Sequence, residues 1–383
     1  MTFGDLALVG LAALLGPALS LVRPLRLPVV VGELAVGVAI GRTGAGWLSP
    51  AEPTFAFLAE VGFALVMFVA GTHVPLRSPV VRRGLAVGVA RAAIVGLAAV
   101  PAGYAVARLF GTGHAALYAV LIASSSAALA LPALGEDASV TAPGASMVAQ
   151  IAVADTACIV ALPLVLEPPH AARAAAGVGV MAVACLAAWA VFATLEARGW
   201  RRAAHNVSED RLLALELRVS LVCLFALAAL AVRTHVSVML AGFGLGLAVA
   251  AVGEPRRLAK QLFALTEGMF APLFFVWLGT SLDLRALAGS PDMLGLGLAL
   301  GAAAVAVHAL GALTRQPAPR AVMTAAQLGV PIAAATIGTR LGVLEPGEET
   351  ALLVGALVTV AAVAVAARRA SPPAGDVAGP ARR

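Results

Sequence analysis

Apolar runs long enough to cross a bilayer follow one another almost from end to end of this chain, and that succession limits its fold more than any motif does. A membrane-spanning helix needs about 20 mostly apolar residues. Reading for such runs, bounded by charge, Pro or Gly, predicts thirteen helices at roughly 3 to 22, 28 to 48, 54 to 73, 84 to 108, 114 to 134, 141 to 166, 172 to 195, 211 to 232, 235 to 253, 261 to 281, 292 to 314, 319 to 341 and 348 to 367. Of the 383 residues 61% are hydrophobic and only 12% charged, where a soluble domain carries about 25% charge. An all-α polytopic membrane protein is expected. The longest hydrophilic break, Glu196 to Arg211, leaves no room for a second soluble domain. The first run lacks the basic flank and cleavage site of a signal peptide and reads as retained. Residues 370–383, rich in Pro, Gly and Ala, read as a disordered tail.

The formal charge of +6 would suggest nucleic acid in a soluble protein. Here the basic residues lie between apolar runs and have a topological explanation, so no nucleic-acid partner is expected and the partner surface is the lipid bilayer. One side collects Arg23, Arg26, Arg77, Arg82, Arg83, Arg198, Arg201, Arg202, Arg211, Arg256, Arg257, Lys260, Arg315, Arg320, Arg368, Arg369, Arg382 and Arg383. The other has Arg42, Arg108, Arg173, Arg233, Arg285 and Arg340, a ratio of 18 to 6, with Arg91 and Arg218 inside helices. The positive-inside rule then puts the C-terminus in the cytoplasm and, after an odd number of spans, the N-terminus outside. Cys158, Cys185 and Cys223 sit in apolar runs without paired spacing, which indicates neither disulfides nor zinc.

Thirteen spans divide into two six-helix repeats, spans 1 to 6 and 8 to 13, joined by span 7. An offset of seven inverts the second copy, an arrangement that places substrate at the midplane between discontinuous helices. Two spans seven apart carry suitable interruptions: the fifth has Ser124, Ser125, Ser126, Leu131, Pro132 and Gly135, the twelfth Gln327, Leu328, Gly329, Val330 and Pro331. Pro and Gly inside a span free backbone carbonyls that can coordinate a cation.

Asp155 falls near the middle of the sixth span. A charge at that depth costs roughly 2.5 to 3.5 kcal/mol on insertion scales, so a functional role is the default expectation. Burial disfavours the bare carboxylate, and such a group can alternate between holding a proton and holding a monovalent metal cation. Ser124 and Ser125, with the freed carbonyls, are the candidate neutral oxygen ligands. His308, in the eleventh span, is the only histidine well inside an apolar run and is expected to modulate pH dependence. Glu33 and Glu60 lie nearer span ends, where snorkelling or capping competes with a transport role. Arg91, Glu216, Arg218 and Glu267 read as ion pairs or snorkelling charges, and His114, His170 and His235 carry no signal.

Several motifs in order then resemble a known family. Leu27-Pro-Val-Val-Val-Gly32-Glu33-Leu-Ala-Val-Gly37 with Gly41, then Leu58-Ala-Glu60-Val-Gly62 leading to Phe68-Val-Ala-Gly71, are similar to the second and third helices of the Kef-type monovalent cation:proton antiporters. The resemblance continues through His235-Val-Ser237 to Gly246 and Phe270-Ala-Pro272 to Gly279. It implies a scaffold and dimerisation part, roughly 1–73 and 211–281, a mobile core, roughly 84–166 and 292–367, and a homodimer. It also implies that the broken helices cross beside the ion-binding carboxylate, the position of Asp155. The chain departs from the family's pattern at three places. Ala154 replaces the usual Asp or Asn before the carboxylate, His308 stands where a Lys is common, and Gln327-Leu-Gly329 has no acid nearby.

The functional expectation is a secondary antiporter exchanging Na+ or K+ for protons across a bacterial cell membrane by alternating access. With Asp155 as the one midplane carboxylate, exchange is expected to be one for one and electroneutral; a proton released by His308 would make it electrogenic. The competing readings are a non-transporting ion sensor of the same fold and an organic-anion symporter. No GxxxxGK, HExxH or GxSxG occurs, so neither an enzyme nor a cofactor is expected.

Overall fold

The computed structural model describes residues 1–20, 29–74, 76–126, 129–130, 142–200, 207, 211, 213–253 and 256–370. Among them every regular element is a helix. In chain order these are α1 (Phe3–Ser20), α2 (Val29–Ile40), α3 (Pro53–Thr72), α4 (Pro79–Phe110), α5 (Ala115–Ala123), α6 (Ala142–Leu166), α7 (Ala171–Ala197), α8 (Leu215–Arg233) and α9 (Val238–Val252). Then come α10 (Arg256–Leu265), a π-helical turn Thr266–Phe270, α11 (Ala271–Ser281), α12 (Leu284–Ala288), α13 (Pro291–Ala309), α14 (Ala318–Met323), α15 (Gly329–Leu341) and α16 (Glu348–Ala370). The expected break residues Leu131, Pro132 and Gly135, and the tail beyond Ala370, lie outside the described residues.

Among the described residues eight helical stretches are long and apolar enough to cross a membrane, formed by α3, α4, α6, α7, α8, α10 with α11, α13 and α16. Three shorter apolar helices, α1, α2 and α9, accompany them. The remaining helices are α5, α12, α14 and α15, of which α5, α14 and α15 flank the two interruptions. A bilayer offers no water to backbone groups, so an irregular stretch at membrane depth is tolerated only inside the protein. Both interruptions are buried, with Ser124, Ser125, Ser126, Thr324 and Gln327 each 5% exposed or less.

Glycine sets the helix crossings. A Cβ on Gly37 of α2 would strike the backbone of Val276 and Gly279 on α11, and one on Gly279 would strike Leu34 and Gly37. Gly71 of α3 and Gly246 of α9 stand in the same mutual contact. The α2–α11 and α3–α9 contacts thus use the same device. The core repeats the device. Gly84 and Gly88 of α4 meet the backbone of α6 around Ser146 and Gln150, and Gly297 and Gly301 of α13 meet α16 around Ala351 and Gly355. Lipid is as apolar as leucine, so close backbone approach through small residues drives such association.

Gly246→Leu should therefore lower the thermal midpoint of the purified protein by the equivalent of about 1–3 kcal/mol of overpacking. Gly96→Leu on α4, where a Cβ meets nothing within 4 Å, should leave it unchanged or raise it slightly. Equal midpoints for the two variants would refute the packing role.

Candidate functional site

The two interruptions meet. After α5 the backbone of Ser124 turns extended, at φ −70° and ψ 149°, and the stretch between α14 and α15 lies against it. Ser125 Oγ donates to the Thr324 carbonyl at 2.7 Å. In the opposite sense, Gln327 Nε2 donates to the Leu121 carbonyl at 2.7 Å. That carbonyl also accepts from Ser124 Oγ at 2.8 Å, and the Gln327 amide donates to Thr359 Oγ1 of α16 at 3.2 Å. Each break thus supplies the partner that the other lacks.

Thr324 is the node of a second group of bonds. Its hydroxyl donates to the Ala321 carbonyl at 2.7 Å, which uses its one proton. Gln150 Nε2 at 3.4 Å and His308 Nδ1 at 2.9 Å must then both donate to Thr324 Oγ1. That assigns His308 the Nδ1–H tautomer. The backbone of Ile122 and Ser124 lies beside its ring. His308 Nε2 and Gln150 Oε1 are buried with no hydrogen-bond partner. Both are acceptors, so the crossing has more acceptors than donors, which suits a cation or a proton donor. Gln150 is a residue that the sequence reading missed, because a neutral amide in an apolar run gives no energetic signal.

Asp155 lies on α6 five residues beyond Gln150 and is 5% exposed. Its helix packs against α5 and α15, the elements on either side of the crossing. Beside Gln327 opens an apolar cavity lined by Val30, Leu34 and Leu278 on one side and Leu328, Ile332 and Leu357 on the other. The structure thus gathers Ser124, Ser125, Gln327 and His308 at one place.

Glu33 and Glu60 lie on other helices. Glu33 is buried in α2 against Gly16 and faces Glu267 of the π-helical turn. Glu60 of α3 pairs with Arg340 at the end of α15. Arg91, expected to be ion-paired or snorkelling, donates to hydroxyls and a carbonyl: Nε to Thr314 Oγ1 at 2.8 Å, NH1 to Ser146 Oγ at 2.9 Å and NH2 to the Thr314 carbonyl at 3.2 Å. His114, which carried no signal in the sequence, joins Tyr118 in gripping the fully buried Glu348 at 2.9 and 2.7 Å.

The model of the transmembrane sodium/hydrogen exchanger family matches residues 10–368. The chain belongs to that family. Among its relatives, the Na(+)/H(+)-K(+) antiporter GerN of Bacillus cereus is 25% identical over 291 residues, 73% of this exchanger and 71% of GerN. A Na(+)/H(+) antiporter of Enterococcus hirae is 40% identical over 68 residues, but the match spans only 18% of this chain and 17% of that protein. The fold of the exchanger is that of the sodium proton antiporter MjNhaP1 from Methanocaldococcus jannaschii, with a TM-score of 0.65 at 15% identity over 94% of this chain and 95% of that one.

Proposed function

We propose that this exchanger is a secondary antiporter that moves Na+ or K+ against protons by alternating access, with Asp155 as the group that holds either the cation or the proton. The observation that carries this reading is the crossing itself, where two broken helices exchange hydrogen bonds through Ser125 and Gln327. The family, the names of its relatives and the fold support it. Ser124, Ser125 and the freed carbonyls offer neutral oxygens to a hard cation, while His308 and Gln327 hold the crossing in shape. Taken alone, Asp155 exchanges one cation for one proton in an electroneutral cycle. Helices α4 to α6 and α13 to α16 form the moving part. Helices α1 to α3 and α8 to α11 form the scaffold and the surface of a homodimer, and the Glu60–Arg340 pair bridges the two parts. The protein sits in the cell membrane of a bacterium with its N-terminus outside and its C-terminus in the cytoplasm.

The test is proton flux in proteoliposomes on addition of Na+, K+ or Li+. A cation-dependent flux is expected; binding without flux would favour the ion sensor, and flux driven only by organic anions would favour the symporter. In the same assay Ser125→Ala should raise the half-saturating cation concentration more than it lowers the maximal rate. The opposite pattern would remove Ser125 from the cation's shell.

A further inference from the structure

Helices α3 and α15 pack against different sets of neighbours. The principal partners of α3 are α8, α9, α11 and the π-helical turn, on the scaffold side, and those of α15 are α5, α6 and α16, on the core side. Two contacts nevertheless join them. Gly329, the first residue of α15, lies so near the thioether sulfurs of Met67 on α3 and Met239 on α9 that a Cβ there would stand 3.3 and 3.4 Å from them. In the last turn of α15, Arg340 NH2 donates to Glu60 Oε1 of α3. Glu60 and Met67 are seven residues apart, on one face of α3. The contacts differ in kind. A thioether is flexible and polarizable and adapts to a partner that shifts, and the cavity between α2 and α11 on one side and α15 and α16 on the other is apolar, so both permit sliding. A guanidinium on a carboxylate is directional and fits one position. The pair also belongs to a definite face. Glu52, the cap of α3, receives the Met1 ammonium at 2.9 Å, which puts Glu60, two turns further on, toward the face that carries the N-terminus.

We infer that Glu60 and Arg340 form a latch that holds α15, and with it the crossing of the broken helices, against the scaffold on the N-terminal face, and that the pair parts in every transport cycle. The inference rests on the antiport reading, in which the core moves past the scaffold. Neither side chain is buried, at 35% and 64% exposure, so the pair can open without leaving a charge enclosed in protein. An exposed ion pair shifts an equilibrium by about fivefold at most, enough to bias the resting state and weak enough to release. While the latch is closed, the N-terminal face is the closed one, and a cation offered there binds only in the fraction of molecules that have opened.

Cross-linking of the full chain tests the latch. With Cys185→Ala and Cys223→Ala in place and the buried Cys158 kept, Glu60→Cys together with Arg340→Cys should be joined by a short bifunctional thiosulfonate. Cation-driven proton flux in proteoliposomes should then stop, and return on reduction. Either single-cysteine variant, treated alike, should keep its flux. A folded double variant that does not cross-link, one that is fully cross-linked and still transports, or equal arrest in a single-cysteine variant would overturn the inference. The charges are tested separately, in proteoliposomes of known insertion direction. Glu60→Arg sets two guanidiniums together and should lower the half-saturating concentration of a cation supplied at the N-terminal face by up to about fivefold. Adding Arg340→Glu to it should restore the wild-type value. No shift, or a shift that the exchanged pair leaves in place, would overturn the latch, and these variants decide if the cysteine variants do not fold. A wild type without cation-driven flux would remove the transport reading and the latch together, whereas flux that survives the cross-link removes the latch alone.

Discussion

Replacing Glu348 by Leu should destabilise the protein by about 3–5 kcal/mol, because it takes the acceptor from three donors at once. Glu348 is fully buried at the start of α16. It accepts from Tyr118 Oη at 2.7 Å, lies 2.9 Å from His114 Nδ1, and accepts from the Glu345 amide at 2.8 Å. Leucine would leave those groups without a partner, and each unsatisfied buried group costs about 1–3 kcal/mol. The effect should reach the transport site, because His114 and Tyr118 hold the first turn of α5, whose other end supplies the Leu121 carbonyl to Gln327. Tyr118→Phe removes a single donor and should cost about 1.5–3 kcal/mol, the range for a bond to a charged group. A Glu348→Leu protein that melts with the wild type would show that this cluster carries no stability.

That cluster also marks where reading the sequence stops. Glu348 and His114 are separated by 234 positions, and no local pattern announces their meeting. Apolar run length, by contrast, is a local property fixed by bilayer thickness, and among the described residues it corresponds to eight helical stretches of spanning length and three shorter ones, fewer than the thirteen spans expected. The interruptions were legible too, but the second was placed slightly late. The sequence points to Gln327 through Pro331, whereas the chain leaves helical form between Met323 and Gly329. Pro331 lies in the first turn of α15, where a missing amide proton is harmless, so it begins a helix and does not break one. The π-helical turn at Thr266–Phe270 has no signature in hydropathy. Glycines four apart at Gly84 and Gly88, Gly242 and Gly246, and Gly297 and Gly301 have the spacing of close-packing sites, a signal that the reading of apolar runs passed over. Only the structure pairs them across helices. At the site, Asp155 announces itself by the energetic penalty of a carboxylate at depth, whereas Gln150 and Thr324, being neutral, incur little and stay silent until their hydrogen bonds are traced.

The largest functional effect should come from Asp155→Asn. Asparagine keeps the volume and a carbonyl oxygen but neither titrates nor carries charge, so the site can no longer trade a proton for a cation. Ala154 beside it cannot substitute. Asparagine also keeps hydrogen-bonding capacity at this buried position, so the variant should still fold. Glu33 and Glu267 lie on α2 and the π-helical turn, not on the helices that form the crossing. The decisive measurement is proton flux driven by a Na+ or K+ gradient in proteoliposomes, wild type against Asp155→Asn at equal amounts of folded protein. Flux in the wild type that vanishes in the variant is the result expected; flux of the same size in both would show that exchange does not run through Asp155.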